Sequence, residues 1–133
     1  MSVIVFGATG DLGSRVVKYL DELGANVRCI VQTGSVSRAR ELLKSTQCEI
    51  LEADYESLSS LEKACHGGSV VLSTVSGLEP VVIDFQTRLI QASVNSGIKR
   101  FIPSDFAVDY RQIAMGENRN LNLLEQFRKI ADN

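Results

Sequence analysis

Cysteine is scarce in this chain of 133 residues, and the three present, Cys29, Cys48 and Cys65, are widely spaced, with neither a C-x-x-C pair nor a histidine cluster beside them. Their odd number argues against a disulfide framework or a zinc site and favours the reduced thiols of an intracellular protein. The one histidine, His66, follows Cys65. A catalytic thiol needs an oriented base and a third group, so the pair reads as incidental. Proline occurs only as Pro80 and Pro103, and no repeat, low-complexity stretch or Pro- or Ser-rich linker interrupts the pattern. Charge is balanced, 14 Lys and Arg against 16 Asp and Glu, without a block of one sign. That speaks against a nucleic-acid or anionic-membrane partner. No apolar run approaches the roughly 18 residues that a membrane span needs, and the first residues lack the basic region of a signal peptide. A cytoplasmic address is the expectation.

What is present is a regular alternation. Short β-branched runs at 2–6, 27–31, 48–52, 69–75 and 100–103 are strand candidates, several apolar at nearly every position, as strands covered on both faces are. Between them lie helix patterns. The first places Leu12, Val16, Leu20 and Leu23 on one side and ends at Gly24, the fourth repeats Val82, Phe85, Leu89 and Ala92 and ends at Gly97, and shorter helices fit 36–45 and 57–65. A further helix over 118–131 carries Leu121, Leu124, Phe127 and Ile130, after a loosely patterned stretch at 104–117. Five βα units with short loops predict one α/β domain over 1–133: a doubly wound parallel sheet of about five strands, order 3-2-1-4-5, with helices on both faces. The chain stops inside its last expected helix, at Asp132-Asn133, which suggests a fragment of something longer. Exposed helix faces leave room for a homodimer, although the apolar stripes are needed to cover the sheet.

The chemistry concentrates at residues 3–20, VIVFGATGDLGSRVVKYL, where three glycines stand between a strand and a helix. A turn that receives a pyrophosphate needs a tight bend at Gly7, an open backbone approach at Gly10 and close helix–strand packing at Gly13. The helix that follows offers free amides and the positive end of its dipole to the same anion. Thr9 adds a hydroxyl, and Asp11 suits the first helical turn. The spacing is G-x-x-G-x-x-G rather than G-x-G-x-x-G, but the strand–turn–helix context is the one a dinucleotide site requires.

GATGDLGSRVVKYL, the strand VRCIV and the later RFIPSDF together resemble the NmrA-like and isoflavone-reductase-like branch of the atypical short-chain dehydrogenases/reductases, along essentially the whole chain; GENRN at 116–120 is also similar. The resemblance implies a Rossmann-type domain binding NADP(H) or NAD(H), here without most of the smaller C-terminal portion that closes over substrate. It places the phosphate turn on Gly7, Thr9, Gly10, Asp11, Leu12 and Gly13. It sets the adenosine ribose near Gln32 and Thr33, where many relatives have an arginine for the 2′-phosphate. Gln32, Thr33, Ser35 and Arg38 are neutral or cationic and include no carboxylate to hold a ribose diol, which favours NADP(H) over NAD(H). Asp54 and Tyr55 fall beside the adenine, with Asp54 equally suited to cap the next helix. Ser73, Thr74 and Val75, with Ser76, fall beside the nicotinamide ribose.

No catalytic residue emerges. The Tyr-x-x-x-Lys dyad is absent at Tyr19, Tyr55 and Tyr110, the region 120–127 (NLNLLEQF) lacks the lysine that isoflavone-reductase-like members use, and Lys129 comes late. Ser104 and Asp105 stand at the mouth of the expected cleft. The resemblance implies an NADPH-dependent reductase of a small organic substrate, a quinone, enone, carbonyl or benzylic ether. The alternative is a non-catalytic dinucleotide sensor that binds a protein partner, with a nucleotide-sugar epimerase or dehydratase behind both.

Overall fold

The computed structural model of the chain describes residues 2–75 and 81–103. The expectations for Ser76, Pro80, Ser104, Asp105, the stretch 104–117 and the helix 118–131 lie outside them.

Five strands, β1 (Val3–Phe6), β2 (Val27–Gln32), β3 (Glu49–Ala53), β4 (Val70–Ser73) and β5 (Arg100–Ile102), form one parallel sheet in the order β3-β2-β1-β4-β5. They alternate with α1 (Asp11–Glu22), α2 (Val36–Leu42), α3 (Leu58–Cys65) and α4 (Gln86–Asn95), the last preceded by a π-helical turn, Val81–Phe85. This is the Rossmann-type order read from the sequence.

Strand register sorts the apolar residues into two layers. Val5 pairs with Cys29 and Leu72 and faces α1 and α2, where Ala8, Val17, Val31, Ala39 and Leu43 complete a buried cluster. Phe6 pairs with Ile30 and Ser73 and faces α3 and α4, where Leu61, Cys65, Leu89 and Ala92 pack. Helices therefore cover both faces, and the central strands are apolar on each side because neither side meets water.

A charged side chain reaches the margin of the second layer. Arg28 donates to the carbonyls of Ala64 (2.9 Å) and His66 (2.7 Å) at the end of α3, and pairs with its register neighbour Glu49 at 3.3 Å. A cation there satisfies carbonyls that the helix leaves open. Cys65 beside it is a core residue whose thiol burial pushes up to about 11, so it stays protonated and unreactive.

The face of α1 differs from the expected stripe. Gly13 and Val17 are the buried positions, with Leu20 packed beside them, whereas Leu12 is 42% and Leu23 65% exposed. The contact of Gly13 with the turn below sets the rotation of the helix, and the larger side chains follow from it.

Candidate functional site

The glycine turn is built from three different needs. Gly7 leaves β1 with φ +82°, and a Cβ there would stand 2.9 Å from the Val75 amide nitrogen and 3.0 Å from Thr74 Oγ1. The Gly10 amide donates to the Gly7 carbonyl at 3.0 Å and closes the turn. Gly10 is also the N-cap of α1 and supplies no side-chain acceptor, so the first amides of the helix lack a side-chain cap. A Cβ on Gly10 would meet only the Gly7 oxygen, at 3.4 Å, which leaves the approach to those amides open. On Gly13, by contrast, a Cβ would overlap the Gly7 carbonyl oxygen and lie 2.6 Å from Thr74 Oγ1. Thr74 is itself fixed, its hydroxyl donating to the Phe6 carbonyl at 2.6 Å. Bend, open approach and close packing thus fall on the glycines to which the sequence reading gave them.

Tyr55 holds the turn from below. Its phenol donates to the Ile30 carbonyl at 2.8 Å and accepts from the Gly7 amide at 3.3 Å, tying the end of β1 to β2. Its ring stacks on Phe85 with centroids 4.5 Å apart and planes 16° from parallel, and Phe6 leans on both. Burial pushes the phenol's pKa above its ordinary value, against a weaker pull the other way from the Gly7 amide. The hydroxyl is therefore a neutral donor, committed to the backbone.

Above this platform lies a cleft of about 630 Å³ along the carboxyl ends of the strands, within the range of small-molecule sites. Gly7, Thr9 and Gly10 form its floor at the turn, Gln32 and Ser35 one end, and Thr74 and Val75 the opposite wall. The remaining lining, Tyr55, Glu56, Asp84, Phe85 and Arg88, comes from the β3–α3 loop, the π-helical turn and α4. Arg88 donates to the Tyr55 carbonyl at 2.8 Å. Among the described residues that line the cleft it is the only cation.

Eight of the residues singled out in the sequence meet at this cleft: Gly7, Thr9, Gly10, Gln32, Ser35, Tyr55, Thr74 and Val75. The others stand elsewhere. Asp11 is exposed and paired with Arg15 at 3.3 Å, as suits a first-turn residue, and Leu12 faces solvent beside it. Gly13 packs under the turn. Thr33 and Arg38 are exposed outside the cleft lining. Asp54 is used locally, its carboxylate accepting from the Glu56 amide at 3.0 Å, while the cap of α3 is Ser57, whose hydroxyl accepts from the Ser60 amide at 3.2 Å. Ser73 is wholly buried on the α3/α4 face, because it shares the register position of Phe6 rather than that of the cleft.

Sequence reading missed Glu56, Asp84, Phe85 and Arg88 as a group. The available signal was helical: Asp84 and Arg88 are one turn apart, flanking the Phe85–Leu89–Ala92 stripe that faces the core. It also missed a carboxylate. None lies along the end of β2, but the neighbouring strand supplies Glu52, which accepts from the Gly34 amide at 3.1 Å. Among the described residues no group of His, Cys, Asp or Glu could hold a metal ion, and no helix is long and apolar enough to cross a membrane.

Comparison with known proteins agrees with this geometry. A bifunctional pinoresinol-lariciresinol reductase of Linum usitatissimum is 34% identical over 113 residues, 80% of this chain and 36% of its own length. The isoflavone reductase homolog IRL of Zea mays is also 34% identical over 113 residues, with the same coverage. Among solved structures, AtPrR2 with NADP+ and (+)pinoresinol superimposes with a TM-score of 0.82 at 27% identity, over 98% of this chain and 45% of that one. The binary complex of leucoanthocyanidin reductase with NADPH from Vitis vinifera gives 0.81 at 25% identity, over 99% and 45%. The chain thus spans little more than a third of the length of the curated relatives it matches. The model of the NmrA-like family matches residues 1–122, and with the glycine turn, the strand order and the relatives all in agreement, the chain belongs to the NmrA-like family.

Proposed function

We propose that this chain is the dinucleotide-binding part of an NADPH-dependent reductase acting on a small organic electrophile, a quinone, enone or benzylic ether. The observation that carries the reading is the uncapped start of α1 over a glycine that leaves its approach open: Gly10 offers no side-chain acceptor, and nothing but the Gly7 oxygen comes near its missing Cβ. Unpaired amides at the positive end of a helix suit a pyrophosphate. NADP complexes of similar chains support the choice of cofactor.

In this reading the amides after Gly10 and the Thr9 hydroxyl take the pyrophosphate. Gln32 and Ser35 meet the adenosine ribose, Arg88 and the Tyr55–Phe85 stack border the adenosine, and Thr74 and Val75 lie along the nicotinamide half. When bound, the cofactor supplies the hydride; the chain supplies position and a wall against water. Tyr55 donates no proton to substrate, since both sides of its hydroxyl are taken by backbone. Among the described residues no side chain is assigned a catalytic role.

The test is stopped-flow oxidation of NADPH by the full-length protein with a panel of quinones, enones and benzylic ethers. Turnover with any class supports the reductase. Saturable dinucleotide binding with no turnover across the panel replaces it with the sensor that works through a protein partner.

A further inference from the structure

Along β2 the sequence offers no acidic residue where a ribose would sit, yet the sheet brings one in from the side. Glu52 lies opposite Val31 in the β2–β3 register, and its carboxylate accepts from the Gly34 amide at 3.1 Å. Gly34 stands between Gln32 and Ser35, the two residues that form this end of the cleft. In nucleotide-binding sheets of this order the end of the second strand meets the adenosine ribose.

The donors here are few. Gln32 is neutral, the Ser35 hydroxyl makes no cap bond to α2, and the Gly34 amide is already held by Glu52. Among the described residues Glu52 has no ion-pair partner, so its charge is uncompensated beside the Gly34 amide. A ribose diol can donate to such a carboxylate. A 2′-phosphate brings a second anion to the same amide and must displace the first or stand beside it.

We propose that Glu52 is the residue that sets cofactor selectivity in this chain: it accepts from the hydroxyls of an unphosphorylated ribose and opposes a 2′-phosphate, so that NADP(H) and NAD(H) are separated less than the absence of an acidic residue at the end of β2 implies. The proposal rests on the cleft being a dinucleotide site. It assigns to Glu52 a positioning and charge role, with no part in hydride transfer.

Glu52→Gln tests it, because the amide oxygen can still accept from Gly34 while the charge is gone. NADP+ and NAD+ are titrated calorimetrically into the full chain as wild type, Glu52→Gln and Glu22→Gln, the last an exposed carboxylate at the far end of α1. Removing one unit charge beside a phosphate shifts affinity on the order of tenfold. Glu52→Gln is therefore expected to tighten NADP+ about tenfold, to leave NAD+ unchanged or weaker, and to show a smaller gain at high salt. Glu22→Gln leaves the ratio of the two constants where it was. A ratio that moves less than about twofold, or two constants that move together, overturns the proposal while the dinucleotide site stands. Wild type that binds neither dinucleotide overturns the site and the proposal with it. The urea midpoint of each variant separates selectivity from lost folding.

Discussion

Replacing Gly13 by alanine sets two effects of opposite sign against each other. In an ordinary helix interior the change is favourable by about 1 kcal/mol, because alanine gives up less backbone entropy than glycine. Here the new methyl would overlap the Gly7 carbonyl oxygen and stand 2.6 Å from Thr74 Oγ1. Neither neighbour can yield cheaply: the first is backbone in a turn that needs φ +82°, and the second is bonded to the Phe6 carbonyl at 2.6 Å. The remaining route is for α1 to move off the sheet by about an ångström, which opens a gap over Val17 and Leu20, the residues it packs against the sheet. Gaps of that size forfeit a quarter to a half of the dispersion at each contact, and overpacked sites cost about 1–3 kcal/mol, toward the upper end where backbone blocks the new methyl. The clash wins over propensity, and Gly13→Ala is expected to lose about 1–2 kcal/mol. Urea unfolding of the full chain followed by far-UV circular dichroism reads this as a lower midpoint at unchanged slope. A variant as stable as wild type, or more stable, refutes the reasoning, since it would mean that the turn does not constrain the helix.

Two further outcomes follow from Tyr55 and its surroundings. Tyr55→Phe keeps the stack on Phe85 but leaves the Gly7 amide and one side of the Ile30 carbonyl without the phenol, which is expected to cost about 1–2 kcal/mol in the same assay; a loss below about 0.5 kcal/mol contradicts the role given to the hydroxyl. Burial raises the folded pKa of Cys65 from its ordinary 9.0 to about 11, and it raises those of Cys29 and Tyr55 as well. Groups whose folded values are raised contribute stability that is complete below the unfolded values and is lost as pH climbs through the folded ones. The urea midpoint, measured in reductant, should therefore hold steady up to about pH 8.5 and fall steadily above about pH 9.5, less steeply in Tyr55→Phe; a flat profile to about pH 10.5 contradicts it.

The sheet was legible because its central strands, with Val5, Phe6 and Val31, are apolar on both faces and its helices repeat at helical spacing; the strand order then followed from the general rule for doubly wound βα sheets. The glycine turn was legible because each of Gly7, Gly10 and Gly13 occupies a position where a side chain would obstruct something. What escaped is what the third dimension assembles. The rotation of α1 follows from a backbone contact at Gly13 and not from where the large residues lie, so the stripe through Leu12 and Leu23 pointed to the wrong face. Arg88 and Asp84 reach the cleft because the π-helical turn and α4 lie across the strand ends, and Glu52 reaches Gly34 across a strand boundary that separates them by 18 residues in sequence. Asp54 and Ser73 fall outside the cleft lining for complementary reasons: one is engaged in its own turn, the other alternates to the core face.

Dinucleotide binding depends most on the open approach above Gly10. Gly10 has φ −77° and ψ 170°, a conformation open to β-branched residues, and its Cβ would meet only the Gly7 oxygen at 3.4 Å, so Gly10→Val should fold as wild type does. Calorimetric titration of NADP+ into the full chain should then give saturable heat for wild type and none for Gly10→Val at the same concentrations, with superimposable far-UV spectra. A valine variant that binds NADP+ as tightly as wild type would place the dinucleotide elsewhere and contradict the account.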